Sequence, residues 1–186
     1  RRSLPIVSIV GYTNAGKSTL LNTLTKSEVA AAPRPFETLD TTARRLRIPR
    51  DRDVIITDTV GFIRDLPPDL LGAFRSTLSE LQDADLLLHV VDAGSDELEI
   101  HVQTVERILT ELQVGDVPRV LVLNKCDRLS PEERVSLLRR HEGVGIVAHD
   151  AGTLPPLLAA IAHVLPKHDP MAAAWHEQDG QIVHAS

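Results

Sequence analysis

The stretch that most constrains this chain is Gly11 to Thr19, read Gly-Tyr-Thr-Asn-Ala-Gly-Lys-Ser-Thr. It follows the apolar run Ile6-Val7-Ser8-Ile9-Val10 and leads into Leu20-Leu21-Asn22-Thr23-Leu24. Strand, glycine loop and helix in that order make a P-loop. Gly11 and Gly16 accept backbone angles closed to other residues, so the loop can fold around an anion and aim successive N–H groups at it. The helix that starts near Lys17 adds its positive end at the same point. Gly11, Tyr12, Thr13, Asn14, Ala15, Gly16, Lys17, Ser18 and Thr19 are therefore all candidate nucleotide contacts. Lys17 supplies an ammonium for the terminal phosphates, and Ser18 a hydroxyl for the Mg2+ that accompanies a nucleoside triphosphate. The plainer reading is a glycine turn before a helix, but the full G-x4-G-K-S in this context favours the phosphate cradle.

The 186 residues suffice for one well-buried domain. Aromatics make up only 3%, so the core must be built from Val, Ile, Leu and Ala. A net charge of -6 argues against indiscriminate binding to nucleic acid or acidic membranes, though it leaves room for a local basic patch. The single cysteine, Cys126, cannot form an internal disulfide, which fits a reducing compartment. With neither a membrane-length apolar run nor a signal-peptide core at Arg1-Arg2-Ser3-Leu4-Pro5, a cytoplasmic location and no membrane insertion are expected. The chain opens without Met and enters a strand almost at once, as a piece of a longer protein would.

Strand-like and helix-like stretches alternate, the pattern of an open, mostly parallel α/β sheet with helices on both faces. Strands are expected at Ile6 to Val10, Arg44 to Ile48, Val54 to Thr57, Leu86 to Val91, Val120 to Leu123 and Gly145 to Ala148. Helices are expected at Lys17 to Thr25, about Pro68 to Leu81, about Asp96 to Leu112, Pro131 to Arg140 with Ser130 as cap, and Leu154 to Leu165. The second and third strands are joined by the charged Pro49-Arg50-Asp51-Arg52-Asp53, which leaves no room for a helix. They should form an antiparallel hairpin at the sheet edge. Arg44, Arg45, Arg47, Arg50 and Arg52 crowd there; they either protect the edge from pairing or contact RNA phosphate. Two prolines in Pro166 to Pro170 should end the domain, giving a domain of 1–166 and a linker with the start of a short further segment at 167–186.

Two further motifs bear on which nucleotide is bound. Asn124-Lys125-Cys126-Asp127 follows the strand Val120 to Leu123, where an open sheet presents ligands. The Asp127 carboxylate can accept both guanine donors, N1–H and the 2-amino group, whereas adenine offers no such pair. Lys125 can lay its stem over the base, and Asn124 can tie this loop to the P-loop. Asp58-Thr59-Val60-Gly61 also follows a strand: Asp58 suits a water on Mg2+, and the Gly61 N–H suits the γ-phosphate. A threonine for the second metal contact should lie between the first helix and the hairpin, where Thr38, Thr41 and Thr42 all stand; composition does not choose among them.

Taken together, these residues resemble the translation-factor-related GTPases, and within them the G domain of the HflX family of ribosome-associated GTPases. The match is carried by residues 11–18, by Phe-Glu-Thr-Leu-Asp-Thr-Thr-Ala-Arg at 36–44, Asp-Thr-Val-Gly-Phe-Ile at 58–63, Leu-Pro-Pro-Asp-Leu-Leu-Gly-Ala-Phe at 66–74 and Ala-Asp-Leu-Leu-Leu-His-Val-Val-Asp at 84–92, with Trp175 to Gly180 adding to it. The resemblance implies a P-loop GTPase fold, a Mg2+-dependent GTPase binding GTP and GDP, and a monomer that associates with the large ribosomal subunit. Members of the family are implicated in separating ribosomal subunits under stress. The family carries its switch threonine in the F-x-T-L-D pattern, which selects Thr38. Lys17, Thr38, Gly61 and Asn14 are then the candidate catalytic residues.

The chain departs from common patterns at two places. The position after D-x-x-G, often a glutamine that orients the attacking water, is Phe62, so unaided hydrolysis should be slow. The resemblance offers Asn14 as a K+ ligand instead, against the plain alternative of a loop hydrogen bond. The family also usually has Ser-Ala in the base-binding loop before the last helix, where this chain has Val147-Ala148. The Ala148 N–H can still meet the guanine oxygen, but the serine's support is absent. Alternative readings are a nucleotide-sensing module whose hydrolysis only resets its state, and an ATP-dependent P-loop enzyme in which Asp127 is incidental.

Overall fold

The computed structural model describes residues 4–26, 43–58 and 79–165. The loop with Thr38, residue Gly61, most of the helix expected over Pro68 to Leu81 and the segment beyond Leu165, with its domain boundary, lie outside the described residues.

Among the described residues, six strands form one sheet in the order β2-β3-β1-β4-β5-β6. The strands are β1 (Ile6–Gly11), β2 (Ala43–Ile48), β3 (Arg52–Asp58), β4 (Leu86–Asp92), β5 (Arg119–Asn124) and β6 (Val144–Gly145). The helices are α1 (Lys17–Lys26), α2 (Leu98–Glu111), α3 (Pro131–His141) and α4 (Pro155–Val164). β1 is central because a run of β-branched residues buried on both faces can be satisfied only between layers. On one side Val7, Ile9, Leu88 and Val90 pack with Leu20 and Leu24 of α1 and Leu157 and Ile161 of α4. On the other, Val10 and Leu87 pack with Val105, Ile108 and Leu109 of α2. All pairings are parallel except β2 with β3, where Arg47 opposes Asp53 and Ile48 opposes Arg52.

The hairpin is longer than its sequence suggested, for β3 begins at Arg52 rather than Val54. Asp53 explains the extension, because its carboxylate pairs across the ladder with Arg45 and lies 3.9 Å from Arg47. The turn is correspondingly tighter, with Arg50 and Asp51 both in the left-handed region at φ 70 and 53. Leu46 and Ile48 are buried on the opposite face. The other two arginines also have partners: Arg44 donates to Asn22 Oδ1 at 3.1 Å and Thr25 Oγ1 at 2.9 Å, and Arg52 donates to Ala162 O at 3.1 Å near the end of α4. Four of the five hairpin arginines thus have partners within the fold, while the Arg45 and Arg47 side chains remain about half exposed.

Other differences are local. β6 is Val144–Gly145, so of the expected Gly145 to Ala148 only Gly145 is strand, because the Val147 and Ala148 amides bond side chains instead of a neighbouring main chain. α2 starts at Leu98 rather than Asp96, after Ser95 Oγ has accepted the Glu97 N–H at 3.2 Å. Leu81 is fully buried in a single 3-10 turn, Ser79–Asp83. Ser130 does cap α3, in a reciprocal capping box with Glu133. His89, buried in β4, is satisfied on one side at most. Its Nδ1 lies 3.8 Å from Glu106 Oε1, while the buried Nε2 has no partner among the described residues. His89 and the Arg119 guanidinium, 2.5 Å from Glu106, hold that carboxyl below its usual range against the opposing effect of burial. No helix among the described residues is long and apolar enough to cross a membrane.

Candidate nucleotide site

The parallel register brings four strand ends to one edge. Ile9 of β1 is level with Asp58 at the end of β3, Gly11 with Val90 in β4, and Asp92 of β4 with Asn124 of β5. Loops leaving these ends must meet, as at the ligand edge of any open α/β sheet.

The first loop is Gly11 to Gly16. A Cβ on Gly11 would come 2.3 Å from the Val90 carbonyl oxygen, so β1 can lie this close to β4 only with glycine there. Gly16 has φ +99, and its amide unit starts α1, with the Leu20 N–H donating to Gly16 O at 2.9 Å. Lys17, only 7% exposed, donates from Nζ to Tyr12 O at 2.9 Å, so its ammonium spans the loop. Burial pushes the Lys17 ammonium below its ordinary 10.5, with the Asp58 carboxylate acting in the opposite direction.

Ser18 donates from Oγ to Asp58 Oδ2 at 3.0 Å, which sets the two oxygens expected at Mg2+ side by side. The second Asp58 oxygen, Oδ1, is buried with no partner among the described residues. An orphaned carboxylate oxygen next to a serine hydroxyl fits a hard cation that prefers oxygen ligands.

Asn124 joins the two halves of the site. It is 2% exposed, donates from Nδ2 to Ala15 O at 2.8 Å, and accepts the Ala148 N–H on Oδ1 at 2.8 Å. The tie to the P-loop expected from the sequence is therefore present, and it extends to the base loop as well. The Ala148 N–H, expected to meet a guanine oxygen, is already engaged by Asn124; a base oxygen must share or take over that contact. The Val147 N–H is likewise engaged, by Thr153 Oγ1 at 2.9 Å. Asp127 is exposed, in the single 3-10 turn Cys126–Arg128.

Three features had no signal in the sequence motifs. Lys125 Nζ donates to Asn14 O at 2.8 Å and to Asp92 Oδ2 at 2.6 Å, so its stem is strung between the P-loop and the end of β4. Asn14 and Lys125 both stand in the left-handed region, at φ 62 and 63, and this bond joins them. Asp92 also accepts the Gly94 N–H on Oδ1 at 3.0 Å. Only its place at a strand end, level with Asn124, could have singled out Asp92. The Tyr12 ring, buried, stacks on His101 of α2 with centroids 4.1 Å apart, linking the P-loop to that helix. Thr13 and Thr19, the remaining loop candidates, are exposed.

The sheet order, with the glycine loop after β1 and the Asn124 loop after β5, is that of the P-loop GTPase fold. Residues 6–125 match the sequence profile of the family described as 50S ribosome-binding GTPases. The chain belongs to this family, and its G domain is of the HflX type. It is 53% identical over 129 residues to the GTPase HflX of Caldanaerobacter subterraneus subsp. tengcongensis, which covers 69% of this chain and 30% of that protein. It is 44% identical over 168 residues to the GTPase HflX of Spirochaeta thermophila, covering 90% of this chain and 41% of that protein. The chain thus spans well under half of these relatives. Among solved structures it is similar to a GTP-binding protein from Sulfolobus solfataricus in complex with GDP, with a TM-score of 0.70 and 30% identity over 86% of this chain and 52% of that one.

Proposed function

We propose that this chain is the GTP-hydrolysing domain of a cytoplasmic GTPase, monomeric and Mg2+-dependent, whose slow turnover is accelerated by the large ribosomal subunit. The observation that carries the reading is Asn124, one buried amide that clasps the phosphate loop, 109 residues before it, and the base loop, 24 residues after it. In this reading the P-loop amides and Lys17 hold the phosphates, while the Asp127 carboxylate accepts the guanine N1–H and 2-amino group. Val147 and Ala148 border the base. Ser18, Asp58 and Thr38 would hold Mg2+, which when bound offsets the charge on the phosphate oxygens. Gly61 and Asn14 complete the surroundings of the γ-phosphate, Asn14 as the candidate K+ ligand. Phe62 can neither donate nor accept a hydrogen bond, so orientation of the attacking water must come from elsewhere.

The deciding experiment is single-turnover GTP hydrolysis in KCl and in NaCl, each with and without large ribosomal subunits. The expected result is slow hydrolysis alone, acceleration by subunits, and a faster rate in KCl. No acceleration by subunits would leave only a nucleotide-sensing module. Equal rates in the two salts would remove K+ from Asn14.

Lys17 gives the affinity a pH dependence of defined sign. Phosphate binds the charged ammonium, whereas burial in the free site favours the neutral amine. The contribution of Lys17 to phosphate affinity is therefore full below its lowered pKa and is lost as pH rises through it. Titration of Mg2+-tripolyphosphate, which has no guanine N1–H to ionise, across the alkaline range should show that fall in wild type and not in Lys17→Met. A flat wild-type profile would contradict the assignment.

A further inference from the structure

We propose that Thr153 is the positioning residue of the base-binding loop: its hydroxyl, bonded to the loop's main chain, sets the Ala148 amide and with it the fit to guanine. The proposal rests on the guanine reading above and names a residue that no motif includes.

The loop that follows β6 has almost no ladder to hold it. β6 ends at Gly145, and Ile146 is the last residue whose N–H bonds the main chain of β5, donating to Leu123 O at 2.9 Å. Beyond it, the position of the backbone depends on side chains. Thr153 Oγ1 accepts the Val147 N–H at 2.9 Å and lies 2.8 Å from Asp150 O and 3.1 Å from Val147 O. A hydroxyl has one proton and two lone pairs, so Thr153 donates to one of these carbonyls while accepting from Val147. Val147 has no polar side-chain atom, so it cannot order its own backbone in this way.

The turn around Thr153 is itself closed. Asp150 N–H donates to Val147 O at 2.8 Å, and Asp150 Oδ1 accepts the Gly152 N–H at 2.9 Å. Thr153 thus sits on a small rigid turn and grips the residue directly before Ala148. Ala148, buried, passes its N–H to Asn124 Oδ1 at 2.8 Å, and Asn124 holds Ala15 O of the phosphate loop. Removing the hydroxyl leaves the Val147 N–H without its acceptor and lets the Ala148 amide shift against a base edge that tolerates little displacement.

The variants that test this are Thr153→Val, which keeps the shape and removes the hydroxyl, and Thr153→Ser, which keeps the hydroxyl. GDP, ADP and inorganic tripolyphosphate are titrated into the 186-residue chain with Mg2+ present, with thermal melting recorded for each variant. Thr153→Val should weaken GDP binding by about tenfold, the loss expected when one hydrogen bond to the base is no longer aligned. The GDP-over-ADP preference should shrink by the same factor, while tripolyphosphate binding stays near wild type. Thr153→Ser should behave like wild type. The proposal is overturned if Thr153→Val keeps its GDP affinity, if tripolyphosphate and GDP weaken together, or if Thr153→Ser is equally damaging. A wild-type chain with no preference for GDP over ADP would overturn the parent reading and this proposal together, whereas a preference that survives Thr153→Val overturns this proposal alone.

Discussion

Asp127→Asn is expected to weaken GTP and GDP binding by on the order of a thousandfold, because a site built around paired hydrogen bonds loses heavily when one side of the pair is wrong. The carboxylate is acceptor-only and meets two guanine donors. The amide offers one acceptor and one donor, so its NH2 would face the 2-amino group donor to donor. The same amide suits a base with a carbonyl at that carbon, as in xanthine. The variant should therefore bind XDP better than GDP, an inversion that loss of folding cannot produce. Titration of GDP, XDP and ADP into both proteins checks it. An unchanged preference for GDP would mean that Asp127 is incidental, and the ATP-dependent reading would return. Asp127 is exposed, and the chain before it is set by Lys125 at φ 63.

The residues legible in the sequence were those whose role is local. The β-branched run before Gly11 places β1, the glycines mark the loop, and the alternation of Leu46 and Ile48 with arginines marks an edge strand. Asn124 could be assigned to the P-loop because its motif carries that role. What the sequence could not convey depends on register. Asp92 reaches Lys125 only because β4 and β5 pair with Asp92 opposite Asn124. Tyr12 meets His101 because α2 packs over the β1 end. Thr153 closes on Val147 only once β6 has stopped at Gly145. The Asp92 and Tyr12 contacts join residues far apart in sequence, and Thr153 meets Val147 through an irregular turn, so no regular spacing encodes them. The Asp53 contacts that lengthen the hairpin were a milder case: the alternation of charges was visible, but the pairing partner was not.

Gly16→Ala is expected to abolish measurable nucleotide binding while leaving a folded chain. Two penalties coincide at this position. Its φ of +99 is a conformation that side chains rarely adopt, costing on the order of 1–3 kcal/mol. The new Cβ would also stand 2.2 Å from Asn124 Nδ2 and 3.5 Å from Asn124 Cγ. The end of a flexible side chain could yield, but Asn124 is 2% exposed and bonded at both amide atoms. Moving it strands Ala15 O and the Ala148 N–H, at about 1–3 kcal/mol for each unsatisfied group. The combined cost, roughly 3–9 kcal/mol, falls on the folded loop, and relieving it by displacing the phosphate loop or the Asn124 amide removes the arrangement that binds nucleotide. The main core residues lie along the strands and under the helices, so the chain should stay folded with melting lowered by roughly 10 °C or more, while GDP titration shows no binding. The cause can be separated by a cycle. In an Asn124→Ala background the clash is gone, so the added cost of Gly16→Ala on stability should drop to that of backbone strain alone. If Gly16→Ala costs the same in both backgrounds, the close approach to Asn124 is not what requires glycine. If the single variant binds GDP within about threefold of wild type, the clasp between the phosphate loop and the base loop does not control the site.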